Sequence, residues 1–150
     1  MCNVYIAAAI ITFLIIIQTS NGQLPAWNYC GGNTWVSDDD NLYNNQTSRT
    51  SGTIKCGESH CMYGTIPGPG ILNFAWEKSI NPNPSFYVNY SCYINGAKRA
   101  QCNDTNWTDV SLPIDSGAND VIWILALDSR TPSGSCPNFA EGSAWIANIS

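Results

Sequence analysis

From Ile71 onward, apolar and polar residues alternate with the period of two that defines a half-buried strand. In Ile71-Leu72-Asn73-Phe74-Ala75-Trp76 this places Leu72, Phe74 and Trp76 on one face, and Asn81-Pro82-Asn83-Pro84 ends the run. Phe86 to Ile94 repeats the pattern, with Phe86, Val88, Tyr90, Cys92 and Ile94 turned inward and Tyr87, Asn89, Ser91 and Tyr93 outward. Asn95-Gly96 supplies two residues that accept positive φ, so a hairpin is predicted there with Ala97 to Gln101 returning. Val110, Leu112 and Ile114 alternate again. The continuous apolar run Val121 to Leu127 predicts a central strand covered on both faces. After a loop at Thr131 to Ser135, Ala144 to Ile149 reads as a closing strand with Trp145, Ala147 and Ile149 opposite Asn148. With no sustained 3.6-residue stripe, the predicted class is all-β, an antiparallel β-sandwich.

The chain before Ile71 differs. Residues 23–70 are rich in Gly, Asn, Ser, Thr and Asp and show little periodicity, so they read as a loop-rich, disulfide-stapled section. Ile66-Pro67-Gly68-Pro69-Gly70 marks its joint with a β-sandwich unit at 71–150, the two forming one domain. Residues 1–22 read as a signal peptide. Val4 to Ile17 is apolar but shorter than the roughly 20 residues needed to span a bilayer, and Ser20 and Gly22 occupy the −3 and −1 positions of a small-x-small cleavage site. The expectation is an exported, extracellular protein with no membrane attachment after cleavage.

Composition sharpens this picture. The 150 residues suffice for one core, and a net charge of −5 with only six basic residues argues against a nucleic-acid partner. Lys98-Arg99 reads as a solvated strand end. Cleavage after Gly22 removes Cys2 and leaves Cys30, Cys56, Cys61, Cys92, Cys102 and Cys136, most simply three disulfides whose connectivity spacing leaves open. Only Cys56-x₄-Cys61 comes near zinc spacing, and His60 is the single histidine, so no metal or other cofactor is expected. Asn45, Asn89, Asn103, Asn106 and Asn148 head N-glycosylation sequons.

From Ile71 to Ile149 the order of features resembles a fibronectin type III or related immunoglobulin-like sandwich. That order is an early strand ending in Trp76, a long Tyr-rich strand and hairpin, a short strand with Leu112-Pro113, a core strand and a terminal strand. The resemblance implies an adhesion or ligand-binding module without an active site of its own.

No hydrolytic constellation stands out. There is no G-x-S-x-G elbow, and a catalytic triad would have to use His60, read here as an exposed loop histidine. Glu58, Glu77, Asp109, Asp120, Asp128 and Glu141 read as surface or turn carboxylates, and Ser37-Asp38-Asp39-Asp40-Asn41 as a solvated turn rather than a calcium loop. Trp76, Trp123 and Trp145 belong on strands. Trp27, Tyr29, Trp35 and Tyr43 instead lie among Gly, Asn and Asp. Such rings stack on sugar C–H faces while amides and carboxylates meet hydroxyls, so these four are the candidate ligand-binding residues. The expected function is a non-catalytic binding or adhesion module with a glycan as ligand. The alternatives are a structural or effector-like protein that binds another extracellular protein and, third, a small secreted hydrolase.

Overall fold

The computed structural model describes residues 26–32, 35–79, 86–129 and 141–150; the expected signal peptide, the loop at 131–135 and Cys136 lie outside them. Among the described residues the strands are β1 (Asn28–Cys30), β2 (Val36–Tyr43), β3 (Gln46–Thr50), β4 (Ile54–Lys55), β5 (Ser59–Lys78), β6 (Phe86–Ile94), β7 (Ala97–Cys102), β8 (Thr108–Ser129), β9 (Glu141–Gly142) and β10 (Ala144–Ala147). The protein is all-β and its pairings are antiparallel. The main sheet runs β2-β3-β10-β5-β8-β6-β7, with β1 added to β5; β4 and β9 form a separate pair.

The organising element is the ribbon of β5 and β8, paired from Ser59–Ala126 to Trp76–Thr108 with an irregularity between Gly68 and Gly70. Trp123 pairs with Met62, twelve residues before Phe74 on the same strand, yet the Phe74 and Trp123 rings meet at 5.4 Å. Twelve extended residues span about 40 Å, so the ribbon must double back on itself. One layer then holds β1, the first half of β5, the second half of β8, β6 and β7. The other holds the remaining halves of β5 and β8 with β10, β3 and β2. Leu72, Phe74, Trp76, Val88, Tyr90, Ile94, Val121, Trp123, Leu125, Leu127 and Ile146 fill the space between.

Two local features make the bend. A Cβ on Gly68 would fall 1.8 Å from the Asp115 carbonyl oxygen, so only glycine lets the two strands approach there. Beside it, the buried Asn119 amide donates to the Asp115 and Gly117 carbonyls at 2.8 and 3.1 Å and accepts from the Asn95 amide at 3.0 Å. Asn95 in turn accepts from the Asp120 backbone N–H at 2.9 Å. Its hairpin is the one expected, with Ile94 opposite Ala97 and positive φ at both Asn95 and Gly96.

Several expectations change. The section expected to be loop-rich carries β1 to β4 and the first half of β5, and the presumed joint at Gly70 lies inside β5. Its strands escaped notice because they are short or polar. Asp38 to Asn41 belongs to β2 rather than to a turn. Val121 to Leu127 is covered on one face only: Val121, Trp123, Leu125 and Leu127 are buried, whereas Ile122, Ile124 and Ala126 are half-exposed. His60 is 2% exposed, with its Nδ1 3.1 Å from the Ser51 carbonyl oxygen, because it lies on a strand rather than in a loop.

The cysteines divide. Cys30 and Cys61 are register partners on β1 and β5 and form a disulfide, and Cys56 is also disulfide-bonded. Cys92 and Cys102, expected in disulfides, are buried free thiols. Cys92 lies opposite Ala100 and Cys102 opposite Tyr90, which makes them diagonal neighbours. Diagonal pairs sit about 7–8 Å apart, whereas a disulfide wants Cβ atoms about 3.5–4.5 Å apart. Burial pushes their thiols up to about 12 and about 11.

Two expected outcomes follow from this packing. Gly68→Ala destabilises by about 2 kcal/mol or more in urea melts, and Gly96→Ala, with nothing within 4 Å of its new Cβ, by about 1 kcal/mol; equal losses would show that the close approach at Gly68 does not matter. Under mildly alkaline conditions, an alkylating reagent leaves Cys92 and Cys102 unmodified in the native protein and labels both after unfolding in denaturant. Absence of label on the unfolded, unreduced chain, read by mass spectrometry, would establish a third disulfide instead.

Candidate functional site

The four candidate aromatic residues are dispersed to three places. Trp35 is 1% exposed and packs against Tyr90 with ring centroids 5.9 Å apart. It is core, and offers no ring face to a ligand; its Gly- and Asn-rich surroundings in sequence concealed that.

Tyr43 lies on the outer side of the second layer. β2 and β8 stand four strand steps apart, about 19 Å across a flat sheet, yet the Tyr43 hydroxyl donates to Asp109 at 2.6 Å. The β2–β3 hairpin therefore curls over the outer face as a strap. Along it the Trp145 indole donates to Asp38 at 2.7 Å, Asn41 donates to Glu77 at 2.9 Å, the Trp107 indole donates to Asn41 at 3.3 Å, and the Tyr43 and Trp107 rings meet at 5.3 Å. Ala75, which points away from the core beneath this crossing, is fully buried. These rings and amides spend their polar groups on one another. The cluster is a fastening rather than an open platform.

Trp27 and Tyr29 share the third place. β3 pairs with β10 only at Trp145–Thr50 and Ile146–Arg49. Beyond that point the strands part, Asn148 takes a φ of 51°, and the chain resumes pairing where Ser150 and Asn73 exchange two backbone hydrogen bonds of 2.9 Å. The result is a wedge of about 340 Å³ lined by Trp27, Thr47, Arg49 and the segment Ile146–Ile149. That volume lies at the lower end of the range for small-ligand sites.

The wedge opens where the two layers separate. Tyr29 lies opposite Met62 and Arg49 opposite Ile146, both core-facing register positions. Their side chains meet at the rim, where the Arg49 guanidinium donates to the Tyr29 hydroxyl at 3.2 Å. The half-buried Trp27 ring is held edge-on by Trp123 at 5.1 Å and 74°. Thr47 donates to Asp39 at 2.8 Å, and the Asn148 amide is exposed. Among the described residues no carboxylate lines the wedge, and those residues supply it with neither an acid–base pair nor a nucleophile with a base. Among the described residues no group of three or more His, Cys, Asp or Glu side chains could hold a metal ion.

Sequence reasoning missed Thr47, Arg49 and Asn148 as site residues. The signal was present in the alternation of Gln46-Thr47-Ser48-Arg49-Thr50, where Ser48 is buried between exposed neighbours. Trp107 and Asp109 were missed as the partners of Tyr43. Of the sequon residues, Asn148 sits at the wedge and Asn89 is half-buried on the outer face of β6, accepting from the Ser91 hydroxyl at 2.8 Å. Asn45 holds a φ of 60° at the tip of the strap, and Asn103 and Asn106 are exposed between β7 and β8.

No protein-family model and no curated protein matches the chain. Solved structures do. The secreted serine protease VesC from Vibrio cholerae superposes with a TM-score of 0.58 at 16% identity, over 95% of this chain and 26% of the protease, so the chain spans about a quarter of that protein's length. TmCBM61, a carbohydrate-binding module solved in complex with β-1,4-galactotriose, superposes with a TM-score of 0.51 at 9% identity, over 85% of this chain and 91% of that one. At such identities the likeness is one of fold.

The strap has an acid-dependent signature. The Trp145 indole, opposed by partial burial and helped by the backbone N–H groups of Asp40 and Asn41, holds the Asp38 carboxyl below its ordinary value. A depressed carboxyl contributes stability above its unfolded pKa and loses it as pH falls through the folded one. Trp145→Phe should therefore lower Tm near neutrality and shrink the further loss between about pH 5 and about pH 2. Parallel Tm curves for variant and parent across that range would show that the bond does not fasten the strap.

Proposed function

We propose that this chain is a secreted, non-catalytic carbohydrate-binding module whose site is the wedge between β3 and β10. The observation that carries the proposal is Trp27, half-buried and fixed by Trp123 on the wall of a concave site whose remaining polar lining is Thr47, Arg49 and Asn148. A ring held in place loses little rotamer freedom on binding and presents its face to the C–H side of a pyranose. The guanidinium, hydroxyl and amide then meet sugar hydroxyls, fixing orientation. The described lining residues include no carboxylate pair for glycosidic cleavage, which favours binding over hydrolysis. A neighbour of matching size solved with a galactotriose supports the same reading.

A protein-binding reading has its own surface. On the outer face of the first layer, Tyr63, Ile122 and Tyr93 are direct cross-strand neighbours, with Tyr63 41% exposed. A flat row of this kind suits a protein partner better than a sugar chain.

The deciding experiment follows intrinsic tryptophan fluorescence of the oxidised protein against a panel of polysaccharides. We expect saturable binding that Trp27→Ala weakens at least about tenfold, or about 1.4 kcal/mol, and that exposed Asn148→Ala weakens severalfold with an unchanged far-UV spectrum. Tyr43→Phe, on the strap, should leave affinity unchanged. Absence of binding to every polysaccharide, or loss through Tyr43 rather than Trp27, would sink the proposal.

A further inference from the structure

We infer that the preferred ligand of the wedge is an acidic glycan whose sugar carboxylate docks on Arg49; the inference rests on the carbohydrate-binding reading above and names its ligand class. The chain has six Lys and Arg residues against eleven Asp and Glu, and one of the six lines this wedge. Arg49 spends one N–H on the Tyr29 hydroxyl, a neutral acceptor, and no carboxylate is bonded to it among the described residues. Asp39, on the neighbouring strand β2, is engaged by the Thr47 hydroxyl.

A guanidinium offers five N–H donors in a planar fork that matches a carboxylate with two parallel bonds. The Tyr29 bond orients that fork without neutralising it. Trp27 stands on the same wedge, so a pyranose stacked on the indole brings a ring substituent to the cation. A neutral sugar would engage the exposed Arg49 through hydroxyls alone, offering the cation no charged partner. Charge-assisted bonds are roughly twice as strong as neutral ones, so the acid should win.

The test compares three oligosaccharide probes of equal length at low salt: oligogalacturonate, its methyl ester and a sulfated galactan, each titrated against the parent protein, Arg49→Gln and Trp27→Ala. The acid should bind at least about tenfold more tightly than its ester, about 1.4 kcal/mol. Arg49→Gln should erase that preference, weakening the acid at least about tenfold and the ester, which loses only hydroxyl contacts, by much less, and added salt should narrow the gap. Equal affinity for acid and ester, or a preference that survives Arg49→Gln, overturns the inference while leaving the carbohydrate-binding reading intact. So does tight binding of the sulfated probe without the carboxylate. Failure of all three probes and of neutral polysaccharides overturns both.

Discussion

Everything in this fold depends on the doubling-back of the β5–β8 ribbon. A pair of strands this long, left straight, would expose both faces along its length and bury nothing. Folding it at Gly68 and Asp115 sets Phe74 and Trp76 against Trp123 and Tyr90, and one pair of strands builds a wall in each layer. A bend costs ladder hydrogen bonds. The Asn119 amide restores donors to the carbonyls that the bend releases, which is why a polar side chain is tolerated there at 1% exposure.

The bend also fixes where the layers can part. β1 adds to the first half of β5 and β10 to the second, so their far sides face each other only at the margin of the core. At that margin β3 and β10 share two register pairs before separating, and the wedge is what the separation leaves. The opposite problem arises on the outer face, where Ala75 would be exposed. There the sheet recruits its own edge: the β2–β3 hairpin lies across it, and Trp145, Asn41 and Tyr43 tie it down. One hairpin thus closes the outer face with β2 and lines the wedge with β3.

The sequence makes the second half of this architecture legible and the first half opaque, for a physical reason. Leu72, Phe74 and Trp76, like Val88, Tyr90, Cys92 and Ile94, are large and alternate, so their period announces the strand and its buried face. β2 and β3 have polar residues on both faces. One side of β2 meets a polar sheet surface through hydrogen bonds, leaving no apolar period to detect. The same cause hid most of the site: Trp27 and Tyr29 were visible as aromatic residues, but Thr47 and Arg49 acquire meaning only once Gln46–Thr50 is known to be a strand. Trp35 misled in the other direction, because small polar neighbours in sequence say nothing about which strands close over a ring.

The placement of charge bears on how such a wedge can select an anion in a protein of net charge −5. At physiological ionic strength, fields fade over about 8 Å, so the global excess of carboxylates slows the approach of an acidic chain without deciding its affinity. What decides is the local set. Asp38, Glu77 and Asp109 are committed on the outer face to Trp145, Asn41 and Tyr43, while Asp39 is bound to Thr47. Arg49 is left facing a neutral phenol beside a fixed indole. That cation is exposed and solvated in the free protein, and on the reading proposed above a ligand carboxylate would give it a charged partner. On that reading local charge, rather than net charge, would set the preference of the site.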